Sequence, residues 1–110
     1  MSKIKRVMVT GASGKLGYPL CKALLENDYQ VIACDLRLPV GLDGLDEVQL
    51  DVADSAAVDE VVSRSDAVIH LASCKEDRQA VIDVSARGTF NILDASLRTK
   101  APKRVILASG

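Results

Sequence analysis

Aromatic side chains are almost missing: the 110 residues include no tryptophan, two tyrosines and one phenylalanine. A core must then be filled by Val, Ile, Leu and Ala, the usual content of a parallel sheet buried on both faces. There is one histidine, and ligand-type residues do not cluster in the sequence, so a zinc site has no ligand set. The three cysteines, Cys21, Cys34 and Cys74, are widely spaced and form no C-x-x-C pair. They read as buried thiols of a reducing compartment, not as a disulfide framework. A formal net charge of −1 removes the electrostatic case for nucleic acid or an anionic membrane as partner. No apolar run approaches the roughly 18 to 20 residues of a membrane span. Met1-Ser2-Lys3-Ile4-Lys5-Arg6 leads into a short strand instead of a signal-peptide core. The expectation is a soluble, cytoplasmic protein. Neither a G-x-x-x-x-G-K-[ST] phosphate loop nor a G-x-S-x-G nucleophile elbow occurs.

What is present is a glycine turn. Val7-Met8-Val9-Thr10 runs into Gly11-Ala12-Ser13-Gly14-Lys15-Leu16-Gly17, an apolar strand breaking into three glycines at three-residue spacing before a helical pattern begins. This is the strand, turn and helix start of a dinucleotide cradle. Gly11 would allow the sharp turn, Gly14 would let the backbone approach a pyrophosphate, and Gly17 would let the helix pack on the strand. The first N–H groups of that helix and its positive dipole end would then bind the phosphates. The competing reading of such a triplet alone is an ordinary strand-to-helix turn.

The apolar period switches repeatedly along the chain. Val7 to Val9 reads as a strand, Leu16 to Leu25 as a helix, and Val31 to Cys34 as a strand closed by Asp35. A Pro/Gly-containing loop, Leu38 to Gly44, leads to a short strand around Val48-Gln49-Leu50. Asp54-Ser55 then signals a helix start before the stripe Ala57, Val58, Val61 and Val62. Ala67 to Leu71 is a fourth strand, Asp77 to Arg98 a long helix, and Arg104 to Ala108 a fifth strand. Strands alternating with helices predict right-handed crossovers and an α/β fold: a Rossmann-type, doubly wound parallel sheet of order 3-2-1-4-5 in three α/β/α layers. The whole of 1–110 is expected to form one domain, folding of which should bury roughly two thirds of the surface the unfolded chain exposes.

Asp35 ends the second strand at about the spacing where a carboxylate meets an adenosine ribose. Its charge would repel a 2′-phosphate, which favours NAD over NADP, whereas Lys15 and Arg37 could each reach such a phosphate. Asp51 could accept an adenine amino group with Val52 against the ring; equally, Asp51 and Asp54 could cap the following helix. His70, flanked by apolar residues, reads first as a hydrogen-bonded core residue and only second as a base.

Taken together, Thr10-Gly11-x-x-Gly14-x-x-Gly17, Asp35, Asp51-Val52, His70-Leu71-Ala72, Gly88-Thr89-x-Asn91-Ile92-Leu93 and Arg104-Val105-Ile106-Leu107-Ala108-Ser109 resemble the N-terminal half of the extended short-chain dehydrogenase/reductase superfamily, its NAD-dependent epimerase/dehydratase group. The resemblance implies pyrophosphate on the backbone around Ser13, Gly14, Lys15 and Leu16, ribose on Asp35, and adenine near Asp51 and Val52. It puts the nicotinamide against Leu71, Ala72 and Ser73, with Lys75 at a cofactor-contacting position. It further implies an NAD-dependent oxidoreductase, epimerase or dehydratase acting on a sugar, nucleotide sugar or related hydroxy compound, of which these residues form the cofactor-binding part of a longer chain. Ser85 stands where the family often has asparagine. The catalytic Ser or Thr of the family aligns at Gly110, and its Tyr-x-x-x-Lys pair lies further downstream. Tyr18-Pro19-Leu20-Cys21-Lys22 matches that pair formally but sits on the first helix, the wrong one for the chemistry. The 110 residues alone are thus expected to bind NAD weakly and turn nothing over. A non-catalytic NAD(P)-binding or redox-sensing module is the alternative. The long helix, from Val81 to Leu97, could pair two copies or serve the core.

Overall fold

The computed structural model describes residues 4–71, 88–98 and 104–107. Five strands, β1 (Arg6–Thr10), β2 (Gln30–Asp35), β3 (Asp46–Gln49), β4 (Ala67–His70) and β5 (Arg104–Leu107), alternate with helices α1 (Gly17–Glu26), α2 (Ser55–Ser63) and α3 (Gly88–Arg98). The sheet has the order β3-β2-β1-β4-β5, and every pair is parallel. Of the long helix expected from Asp77, only the part from Gly88 lies within the described residues, as does the fifth strand up to Leu107.

Period-two alternation sorts the core into two layers. Val7 and Val9 of β1 and Val31 and Ala33 of β2 meet Cys21 of α1, with Leu20, Leu24 and Leu25 packed alongside. Met8, Ile32, Cys34 and Val68 point the other way, against Val58, Val61 and Val62 of α2 and Ile92 and Ala95 of α3. Both faces are therefore covered, as the nearly continuous apolar runs of β1 and β2 require.

Register aligns the carboxyl ends. Thr10 pairs with Cys34 on one side and His70 on the other, His70 pairs with Leu107, and Asp35 pairs with Gln49. The loops after β1, β2 and β3, and Leu71 after β4, consequently lie at the carboxyl end of the sheet, which is where ligands of open parallel sheets bind.

At the opposite end, Asp66 fixes the entry of β1. Its Oδ2 accepts from the N–H groups of Lys5 and Arg6, each at 2.9 Å, and its own N–H donates to the Arg6 carbonyl at 2.8 Å.

Candidate functional site

The turn after β1 is built around close backbone approach. Gly11 adopts φ +71°, a left-handed conformation that costs glycine little. The Gly14 N–H donates to the Gly11 carbonyl at 3.1 Å. At Gly17 a Cβ would stand 2.0 Å from that same carbonyl oxygen and 2.7 Å from the Ala12 Cα, so α1 reaches the strand only because residue 17 has no side chain. At Gly14 a Cβ would meet the Gly11 oxygen at 3.3 Å, a tight but adjustable contact. The N-cap of α1, Leu16, offers no side-chain cap; within the first turn Pro19 has no N–H and the Tyr18 N–H donates to the Gly14 carbonyl at 3.1 Å, which leaves the main chain just before the helix, around Lys15 and Leu16, to meet a ligand. Ser13, Gly14, Lys15 and Leu16 are all exposed. That is the arrangement by which a helix start receives an anion.

Asp35 is bonded into this turn. Its Oδ2 accepts from the Ser13 N–H at 3.1 Å and its Oδ1 from the Arg37 N–H at 3.0 Å. The Ser13 hydroxyl closes the ring by donating to the Arg37 carbonyl at 3.1 Å. The carboxylate is thereby held in place by two main-chain donors, with acceptor capacity left on both oxygens.

Asp51 lies one step further along the edge, because the Leu50 N–H donates to the Asp35 carbonyl at 3.1 Å. Capping falls to Asp54, whose Oδ1 accepts from the Ala57 N–H at 3.2 Å. Asp51 instead receives the Ala53 N–H on Oδ1 at 2.9 Å, and its carbonyl takes the Asp54 N–H at 2.9 Å. Asp51 is exposed, whereas Val52 is packed into the core at 4% exposure.

On the far side of β1, the Thr10 hydroxyl accepts from the Leu71 N–H at 2.9 Å and shares a hydrogen bond with His70 Nδ1 at 2.8 Å. His70 is 5% exposed, and burial pushes its imidazole below the usual histidine range, since the cation would lose its water. The ring is neutral near pH 7 and ties the ends of β1 and β4 together. Ala72, Ser73 and Lys75 lie outside the described residues. Among the described residues no group of three or more His, Cys, Asp or Glu could hold a metal ion, and no helix is long and apolar enough to cross a membrane.

The structure brings Gly11, Ser13, Gly14 and Gly17 together with Asp35 and places Asp51 beside them, with Leu71 across the central strand. Two polar groups of this edge received no role from the sequence. Thr10 belongs to the glycine motif, but a threonine ending a strand carries no mark of its hydroxyl's partners, His70 and Leu71, 60 and 61 residues away. Asn91 donates from Nδ2 to the Val52 carbonyl at 2.9 Å. Asn91 stands in the Gly88-Thr89-x-Asn91 stretch that carries the family resemblance, but that stretch does not reveal the partner of its amide.

Three comparisons bear on this geometry. A model of the NAD dependent epimerase/dehydratase family matches residues 7–110. Short-chain dehydrogenase/reductase family 42E member 1 of Xenopus laevis is 35% identical over 107 residues, which cover 90% of this chain and 28% of that protein. L-arabinose 1-dehydrogenase (NAD(P)(+)) of Haloferax volcanii is 36% identical over 107 residues, 94% of this chain and 40% of the relative. In structure, a uronate dehydrogenase variant from Agrobacterium tumefaciens complexed with NAD superposes with a TM-score of 0.83 at 29% identity, over 98% of this chain and 42% of the other. The chain thus spans well under half the length of each of them.

Proposed function

The chain belongs to the NAD-dependent epimerase/dehydratase family, and from that premise we propose that it is the dinucleotide-binding part of an NAD-dependent oxidoreductase, epimerase or dehydratase acting on a sugar, nucleotide sugar or related hydroxy compound. The observation that carries the reading is the Gly11–Gly17 turn, open only to glycine at position 17 and bonded through Ser13 to a fixed Asp35 carboxylate. The residues fit the cofactor. Backbone around Ser13 to Leu16 would hold the diphosphate at the start of α1, Asp35 the ribose hydroxyls and Asp51 the adenine amino group, with Val52, only 4% exposed, backing that site from the core. Leu71 with Ala72, Ser73 and Lys75 would border the nicotinamide. When bound, NAD supplies a hydride acceptor at its nicotinamide ring for the carbon bearing the substrate hydroxyl. The contribution of these residues is to bind and orient.

NAD is favoured over NADP because Asp35 is not free to turn away. A 2′-phosphate would meet a negative charge that two main-chain N–H groups hold in position. Calorimetric titration should find NAD bound at least about tenfold tighter than NADP, the size of one like-charge contact near a surface. Asp35→Ser should erase that preference. Equal affinities in the unaltered chain would overturn the assignment of Asp35. The likeness to a uronate dehydrogenase and an arabinose dehydrogenase makes uronates and aldoses the first substrates to try, with NADH formation as the readout.

Assembly belongs to the same reading. Phe90, Leu93 and Leu97 of α3, 64%, 40% and 84% exposed, fall at i, i+3 and i+7 and form an apolar stripe that suits pairing of two copies through this helix. Sedimentation should show a dimer that Leu97→Lys dissociates; a monomer at all concentrations would overturn this.

A further inference from the structure

We infer that Asn91 is a positioning residue for the adenine end of the site, acting on Asp51 through a single peptide unit. The inference rests on the proposed reading of Asp51 as acceptor for the adenine amino group. The Asn91 Nδ2 donates to the Val52 carbonyl at 2.9 Å. The N–H of that same peptide unit belongs to Ala53, and it donates to Asp51 Oδ1 at 2.9 Å. A peptide unit is planar and resists twisting, so holding its carbonyl from α3 fixes the direction in which its N–H points. That direction aims the carboxylate. Two hydrogen bonds through one amide also polarise each other in the same sense.

The other restraints on this turn cannot do the same. The bond from the Asp54 N–H to the Asp51 carbonyl is internal and survives a tilt of the turn as a whole. Gly88, where a Cβ would stand 2.6 Å from Val52 Cγ2, sets how closely α3 seats against the turn, but a steric contact has no preferred direction. Leu50 to Asp35 anchors only the entry. Asn91 supplies the directional restraint from outside the turn.

The test compares NAD with nicotinamide hypoxanthine dinucleotide, in which the adenine amino group is replaced by a carbonyl oxygen. The unaltered chain should prefer NAD by about tenfold, the discrimination of one hydrogen bond to a charged acceptor. In Asn91→Ala, which removes the donor while favouring the helix, the preference should shrink to less than about threefold. Asn91→Asp, equal in shape but without the donor, should behave likewise. Asp54→Ala, which weakens the cap of α2 without touching the Asn91 bond, should lower the melting temperature and leave the preference intact. An undiminished preference in Asn91→Ala would overturn the inference while leaving the adenine reading standing, and an unfolded Asn91→Ala would assign the amide to stability instead. No preference in the unaltered chain would remove the reading of Asp51 and the inference with it.

Discussion

Replacing Gly17 by alanine would place a methyl group 2.0 Å from a carbonyl oxygen in a turn with no slack. The expected cost is about 3 kcal/mol or more, a large share of the roughly 5 to 15 kcal/mol of a typical domain. Gly14→Ala, facing the same oxygen at 3.3 Å, should cost only about 1 kcal/mol. Denaturant unfolding of the two variants reads the difference directly, and equal losses would mean that the turn gives way at position 17. His70 adds a pH dependence. Its folded value lies below its unfolded one, so protons prefer the unfolded chain and this stabilisation is present in full above the unfolded value near 6.5. It is lost as pH falls below that point and levels off once the folded value is passed. His70→Asn should flatten this part of the stability profile, measured by thermal melts across the range. At this scale the sequence was readable where chemistry is local. The glycines and Asp35 stand in a single stretch or at a fixed spacing. The bonds from Ser13 to Asp35 and from Asn91 to Val52 were not readable, because each joins segments that meet only after the sheet has assembled.

Among the elements, β3 shows where apolar pattern stops being informative. The run Val48-Gln49-Leu50 locates a strand, but the strand observed is Asp46–Gln49, shifted toward the polar residues before it. It lies at the edge of the sheet, so its bounds are set by main-chain pairing to β2, Asp46 opposite Ile32 through Gln49 opposite Asp35. Its side chains are mostly exposed. Leu50, which drew the expectation rightward, is 3% exposed just beyond the strand, in the core with α2. Central strands fared better because both faces are buried and the pattern is the fold. The helices carry two tests of their ends. Asp54→Ala removes the cap of α2 and should cost about 1 kcal/mol. Asp28 follows α1 at φ +67°, a left-handed position that glycine occupies without strain, so Asp28→Gly should stabilise the protein by about 0.5 to 1 kcal/mol. Chemical denaturation checks both signs.

At the level of the whole molecule, the sheet separates two thiols that report on its two faces. Cys21 of α1 packs against Val7, Val9, Val31 and Ala33 on one face and Cys34 of β2 lies on the other with α2 and α3, and burial raises them to about 11 and about 12. Neither is a thiolate near neutral pH, so alkylation of the native protein should be slow at both and rapid in denaturant. Equal native labelling rates would mean that the sheet opens as a unit; faster labelling of Cys21 would mean that α1 lifts first. The order β3-β2-β1-β4-β5 also has a consequence in time. The central strand is made first, and its partner β4 begins 60 residues after Val7, at Ala67. At a synthesis rate of roughly 5 to 20 residues per second, β1 waits about 3 to 12 s for that partner. During this interval β2 and β3 can join it on one side only, and Val7, Met8 and Val9 border an open hydrogen-bonding edge. A nascent chain on the ribosome is most vulnerable to aggregation then, and slowing translation between β2 and β4 should lower its soluble yield.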